Sequence, residues 1–395
     1  NLLKQEGSLS LAAKYFAEAL STAKYIQDDN FTKRLEGSIE SLRLAKNTME
    51  TKAMDCAAEA EKLPPEQWKE KLDLLRKALG LVKKIAEGFN KTLAMSERVV
   101  EAIPDVVSRR TMGEEEQSAA MDALQEHAEL LIEAGGTENF KRAVEVAGRV
   151  VDARREQIPG EQAGGQDISI GLATALYWRA RARVQLNQWD AALPDVEKAV
   201  KIRTAVLGSQ DVEVPKTLSL QGQIYFGQGK LPEALAVHEQ AKTLREEVFG
   251  KEHLEVAASL SNISKVFNKQ GKMSEAKKAL EKALSIQRRH LGRRHKYVAF
   301  TEEGMGNLLK QEGSLSLAAK YFAEALSTAK YIQDDNFTKR LEGSIESLRL
   351  AKNTMETKAM DCAAEAEKLP PEQWKEKLDL LRKALGLVKK IAEGF

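Results

Sequence analysis

The chain has 395 residues, with 61 Lys and Arg against 59 Asp and Glu and 43% apolar content, enough hydrophobic material for a large core, which excludes a disordered tail. A net charge of +2 supplies no field that would point to nucleic acid or to an anionic membrane surface. Aromatic residues make up only 6% of the chain, there are 9 prolines, and Ala and Leu are abundant, so the composition favours an all-α chain over a β-sandwich or barrel.

No apolar run reaches the length of a membrane span, and no signal peptide opens the chain. The first residue is Asn1, so an earlier start to the reading frame is expected. Residues 307–395 repeat residues 1–89 without a substitution, at an offset of 306. Diverged repeats do not stay identical over such a length, so the duplication is recent or deliberate. The chain then reads as one 306-residue unit plus an overlap into the next. Cys56 and Cys362 are one position seen twice. They support no disulfide framework and point to a reducing, cytoplasmic location.

In chain order, residues 1–29 correspond to the second half of a helix pair, by identity with 307–335. Residues 30–103 are expected to form a long helical hairpin. Its first helix carries Phe31, Leu35, Ile39, Leu42, Met49, Ala53, Cys56, Ala60 and Leu63, and Pro64-Pro65 stop it. Its second carries Trp68, Leu72, Leu75, Leu79, Val82, Ala86, Phe89, Leu93, Ser96, Val100 and Ile103, a 4-3-4-3 seam of coiled-coil type ending at Pro104. Helices of roughly 34 and 38 residues would span about 50–57 Å. They either project as an antiparallel coiled-coil-like arm or pack fully as an oversized pair.

Residues 104–118 read as a linker, 119–157 as a divergent helix pair around Gly135-Gly136, and 158–167 as a Gly-rich linker. Residues 168–335 hold four 42-residue units. Leu207-Gly208, Phe249-Gly250 and Leu291-Gly292 mark the step, as do Ala192, Ala234, Ala276 and Ala318, and Ala199, Ala241, Ala283 and Ala325. Within a unit, Leu260, Ile263 and Phe267, then Ala276, Leu280, Ala283 and Leu284, describe two amphipathic helices joined by a Gly turn. Small residues at Ala180, Gly222, Ser264 and Gly306 allow close approach of the first helix. Each pair alone has too little core, so neighbours must stack. Residues 336–395 are a second copy of the hairpin without the equivalent of Asn90–Ile103.

The segments LSLQGQIYFGQGKLPEA (218–234) and LSNISKVFNKQGKMSEA (260–276) resemble the tetratricopeptide repeat (TPR) superfamily in their small, aromatic, Gly and Ala positions. The 42-residue spacing, with FGKEHLEVAASL (249–260) and LGRRHKYVAF (291–300) between helices, looks like the kinesin light chain variety. His295 is followed by Lys296 and His253 by Leu254, where that variety often has proline, and 173–196 is closer to cochaperone-type repeats. The resemblance implies a helical-hairpin solenoid wound as a right-handed superhelix, and a non-enzymatic adaptor that binds peptide segments in its concave face.

No catalytic constellation is present in the sequence. Gly229-Lys230 and Gly271-Lys272 lack the Ser or Thr and the upstream glycine of a phosphate loop. The five histidines have no partners at metal-ligand spacing, and His253 and His295, 42 apart, read as linker-packing residues. No cofactor or metal is expected. Recognition is the chemistry the sequence offers. Aligned units place Tyr177, Trp178 and Arg181, then Lys216, Gln223 and Phe226, then Asn262, Lys265, Asn268 and Lys269, then Asn307 and Lys310 on the first helices, as a peptide-binding groove. Amides can pair with a peptide backbone, lysines attract carboxylates and aromatics bury an apolar anchor. The partners expected are protein or peptide ligands, with a preference for acidic ones, and neither membrane nor nucleic acid.

Arg288, Arg289, Arg293, Arg294 and Lys296, with His290 and His295, form a basic cluster in one linker. It either meets an acidic partner or is a solvated linker balanced by Glu281, Glu302 and Glu303. A second reading of the whole takes the exact duplication as primary: an architectural, cytoskeletal spacer built as a tandem array of 306-residue units. A stack cut inside a pair and inside a hairpin exposes apolar faces, so end-to-end self-association is expected.

Overall fold

Apolar residues at three- and four-residue steps become helices wherever the computed structural model describes the chain, which is at residues 16–17, 19–20, 29–63, 67–85, 89–101, 103, 114–156, 166–369 and 373–394. Among these residues there are 15 α-helices and no strand. The chain divides into two compact units, residues 1–206 and 207–395.

The first unit contains α1 (Asp29–Lys62), α2 (Trp68–Ile85), α3 (Phe89–Glu101), α4 (Glu114–Ala134), α5 (Thr137–Glu156), α6 (Gln166–Gln185) and α7 (Trp189–Leu207). The second contains α8 (Glu213–Gly227), α9 (Leu231–Phe249), α10 (Leu254–Lys269), α11 (Met273–Leu291), α12 (Lys296–Glu312), α13 (Leu315–Tyr331), α14 (Asp335–Lys368) and α15 (Trp374–Gly394). Within the second unit each helix packs against the next, and α8 also meets α10.

The 42-residue step is built from turn chemistry. Lys230, Lys272 and Ser314 donate their N–H to the carbonyls of Tyr225, Phe267 and Leu309, each at 2.9 Å, closing the first helix of each pair with the same six-residue loop. The residue before each donor is Gly229, Gly271 or Gly313, at φ +76°, +78° and +89°, where a Cβ would be strained. In α6 the same loop, Gln188 to Arg183 at 2.9 Å, is made with Asn187 at φ +56°. Ala192, Ala234, Ala276 and Ala318 are fully buried, as are Ala199, Ala241, Ala283 and Ala325. A larger side chain at any of them would force the paired helices apart. His253 and His295 cap helices: each Nδ1 accepts the N–H two residues on, Glu255 and Tyr297, at 3.2 Å.

A buried polar residue recurs on the second helix of three pairs at the same period. Arg203 donates to Thr174 at 3.3 Å. Arg245 donates to Ser219 of its own pair at 2.8 Å and to Ser259 of the next at 2.6 Å. Gln287 accepts from Thr301 of the next pair at 2.7 Å. The Arg203 bond lies within one pair, while those of Arg245 to Ser259 and Gln287 to Thr301 cross to the next pair and fix the register of adjoining pairs.

The expected second helix of about 38 residues does not form in the first hairpin. The helix there ends at Ile85 and α3 starts at Phe89, with 86–88 outside the described residues. Arg98 of α3 donates to the Ala57 carbonyl at 3.5 Å and pairs with Glu61, near the end of α1 where α2 begins. A straight continuation of α2 would carry Arg98 away from Glu61 by about 1.5 Å per residue. The chain turns back instead, and Leu72, Leu75 and Leu79 of α2 share one core with Val99, Ile103, Met121 and Leu124. The physical reason is burial: a projecting arm would leave that seam in water.

In the second copy, the first half of α14 packs on α13, where Phe337, Leu341 and Leu348 join Phe322 and Ala325. Its second half, with Ala359 and Ala363, forms a hairpin with α15.

Candidate functional site

The first helices of three successive pairs in the second unit, α8, α10 and α12, supply Phe226, Lys265, Asn268, Lys269 and Gln311 to one cavity of about 300 Å³. Four of these are sequence-predicted residues. Gln311 was missed, although it stands 42 positions after Lys269 and the period alone would have found it. Lys265 keeps contact with solvent while protein atoms crowd it from the cavity walls. That crowding lowers its pKa, and Glu303 acts in the opposite sense. Asn268 lines the cavity, and its Oδ1 is buried with no hydrogen-bond partner among the described residues.

The remaining predicted residues lie elsewhere. Gln223 and Asn307 are exposed on α8 and α12, and Asn262 is half-buried on α10, none of them in the cavity wall. Lys216 is paired with Glu213 at 3.2 Å, and Lys310 donates to Ser347 of α14 at 2.5 Å. In the first unit, Tyr177 and Trp178 are buried, with rings edge to face at 5.2 Å. Arg181 sits over the Trp178 ring at 4.9 Å. Both rings are therefore packing groups in α6, and they offer no open apolar face.

Behind the cavity, His238 of α9 is buried against Gly222 of α8, where a Cβ would come within 2.5 Å of the imidazole. Burial first, then the charges of Lys265 and Arg245, lower its pKa from 6.5 to about 4. The unfolded chain takes up this proton near pH 6.5 and the folded chain only near 4. The stability contributed by neutral His238 is thus fully present above pH 6.5 and lost as pH falls towards 4, by up to about 3 kcal/mol. Urea midpoints measured at pH 7 and pH 5 should differ less in His238→Leu, which imports the residue found at the equivalent position 280. An unchanged difference would show that other groups set the acid sensitivity.

Three of the five basic residues of the linker cluster are paired within the unit. Arg288 pairs with Glu302 and Glu324 at 2.9 Å, Arg289 with Glu252 at 2.8 Å and Lys296 with Asp334 at 3.0 Å. Asp334 caps α14 by accepting from Phe337, and that bond, followed by Lys296, holds its carboxyl below the usual range. Burial pushes the Glu302 carboxyl up against the opposing pull of Arg288. Cys56 and Cys362 are buried free thiols. Among the described residues there is no cluster of three His, Cys, Asp or Glu side chains suited to a metal, and no helix is long and apolar enough to cross a membrane.

The tetratricopeptide repeat family matches residues 171–247, 213–289 and 255–330, three overlapping stretches in step with the helix pairs. No curated protein matches the chain. Solved structures similar to it include the nearly identical TPR-like repeats of a kinesin light chain-like protein from Podosopora anserina, at 19% identity and TM-score 0.45, covering 54% of this chain and 96% of that one. BtubC (BKLC) from P. vanneervenii is 18% identical with TM-score 0.45, covering 66% and 92%. The Rap conjugation gene regulator of plasmid pLS20, solved with the Phr* peptide, is 12% identical with TM-score 0.49, covering 88% and 96%. With the matched stretches falling on α6 to α13 and the same Gly-closed turn recurring every 42 residues, residues 171–330 match the tetratricopeptide repeat family.

Proposed function

We propose that the chain is a non-enzymatic protein-interaction scaffold that takes an extended, acidic peptide segment in the groove of α8, α10 and α12, as a kinesin light chain-like adaptor would. The observation that carries this reading is the meeting of Phe226, Lys265, Asn268, Lys269 and Gln311 from three repeats around one cavity. Lys265 and Lys269 supply charge for a ligand carboxylate, the Asn268 amide can donate to a peptide carbonyl, and Phe226 gives an apolar wall.

Peptides selected by the full chain from a library of ten-residue sequences with one fixed acidic position test this reading. Lys265→Ala and Asn268→Ala are each expected to weaken the selected peptides by about 1–3 kcal/mol, and Lys265→Glu more than either. Affinities unchanged in all three variants would move the binding surface elsewhere. The exact repetition of 89 residues favours a second reading, an architectural spacer in a tandem array, under which no peptide would be enriched.

A further inference from the structure

Glu303 of α12 stands one helical turn before Asn307, at a position where the two preceding pairs carry Ser261 and Ser219. A carboxylate thus occurs there in one pair of the three. Its side chain is 15% exposed, so the charge is held largely out of water and needs a counter-ion. Two cations flank it. Lys265 of α10, in the cavity wall, feels Glu303 through space and makes no ion pair among the described residues. Arg340 of α14 donates Nε and Nη2 to the two Glu303 oxygens at 2.8 and 2.9 Å.

Arg340 holds the carboxylate for two reasons. Its planar fork bonds both oxygens at once, which the ammonium of Lys265 cannot do. The guanidinium is also kept in place by two rings, at 4.9 Å from Phe337 and 6.0 Å from Phe300, so little side-chain freedom is lost in making the pair. Lys296, the other cation over Phe300, is already taken by Asp334 at 3.0 Å. With the fork removed, the cation left beside Glu303 is Lys265.

We propose that Arg340 is a positioning residue for the peptide groove: by clamping the Glu303 carboxylate it keeps Glu303 from neutralising Lys265, and so reserves Lys265 for an acidic residue of the ligand. Glu303 is then a resident competitor for Lys265, and Arg340 is what restrains it. Arg340 lies beyond residue 330, where the matched repeat stretches end, on the long helix α14. The helix that follows the repeats thereby sets how strongly the repeats attract a carboxylate. This inference rests on the peptide-binding reading of the groove.

The test has two readouts, the first without any ligand. Lysines of the full chain are labelled by reductive methylation with carbon-13, and the Lys265 signal is assigned by its loss in Lys265→Arg. Arg340→Gln should raise the pH at which Lys265 titrates, because the freed carboxylate turns to it, and Glu303→Gln should lower that pH. The double variant should match Glu303→Gln alone, since Arg340 acts only through the carboxylate. The second readout is the affinity of the most enriched ten-residue peptide from the selection above. Arg340→Gln should weaken it by roughly fivefold, the scale of one exposed ion pair. Glu303→Gln should strengthen it, and the double variant should again match Glu303→Gln. The proposal is overturned if Arg340→Gln has the same effect whether or not Glu303 is present, or if it leaves both readouts unaltered in the otherwise native chain. A selection that enriches no peptide would sink the groove reading, and the Lys265 titration would still decide whether the clamp exists.

Discussion

Alanine in place of Asp195 is expected to destabilise the first unit by about 3–5 kcal/mol. The carboxylate is buried in α7 and accepts from Arg179 Nε and Nη2 at 2.8 and 2.6 Å and from Arg183 Nη1 at 2.7 Å. Both guanidiniums come from α6, one helical turn apart, and burial already lowers the pKa of Arg183, against the pull of Asp195. Without the carboxylate, two desolvated cations face each other with no counter-charge, and relief requires pulling α6 and α7 apart. Asp195→Asn retains an acceptor of the same shape and should cost less than alanine. Trp178 and Trp189 lie on these two helices, so tryptophan fluorescence during urea unfolding reads the loss. A cost below about 1 kcal/mol would reduce the network to the level of a surface ion pair.

Phe322→Ala should destabilise the second unit by about 3–5 kcal/mol, by removing a wholly buried ring and leaving a cavity. The ring lies against Gly306, where an added Cβ would come within 2.8 Å of it. Gly306→Ala should therefore cost about 1–3 kcal/mol by overpacking. One repeat period resolves the conflict differently: Ala180 and Val196 occupy the positions equivalent to Gly306 and Phe322, and both are fully buried. Gly306→Ala combined with Phe322→Val imports that pairing and should cost clearly less than the sum of the single changes. Strict additivity would show that the two positions do not share a packing site. Chemical denaturation followed by circular dichroism measures all three variants.

The stacked pairs were legible because their signal is local and repeated. Gly229, Gly271 and Gly313 mark a left-handed backbone position in sequence alone, and the alanines at a fixed step can only mean close contact between helices. The return of α3 was not legible, because a 4-3-4-3 seam from Trp68 to Ile103 describes one long helix and two shorter ones equally well; only burial against Met121 and Leu124, far along the chain, decides between them. At the groove, helical periodicity put Lys265, Asn268 and Lys269 on a common face. It could not tell an aromatic that lines a cavity, Phe226, from the pair Tyr177 and Trp178 that fills the space between helices, since both show the same spacing. Lys310 illustrates the same limit: its partner, Ser347, belongs to a helix beginning more than twenty residues later.

The recurring turn has a mechanical corollary. Within the second unit the described contacts of a helix run to the helices one and two places along the chain, as in α8–α10, α13–α15, and the Lys310–Ser347 bond of α12 to α14. Among the described residues no strand or clasp ties the two ends of this unit together. Tension applied along it therefore meets a series of separable steps instead of a single barrier. Each two-helix module that peels away lengthens the tether by about 140 Å of extended polypeptide, so the unit yields gradually under load and can rewind from whatever modules remain.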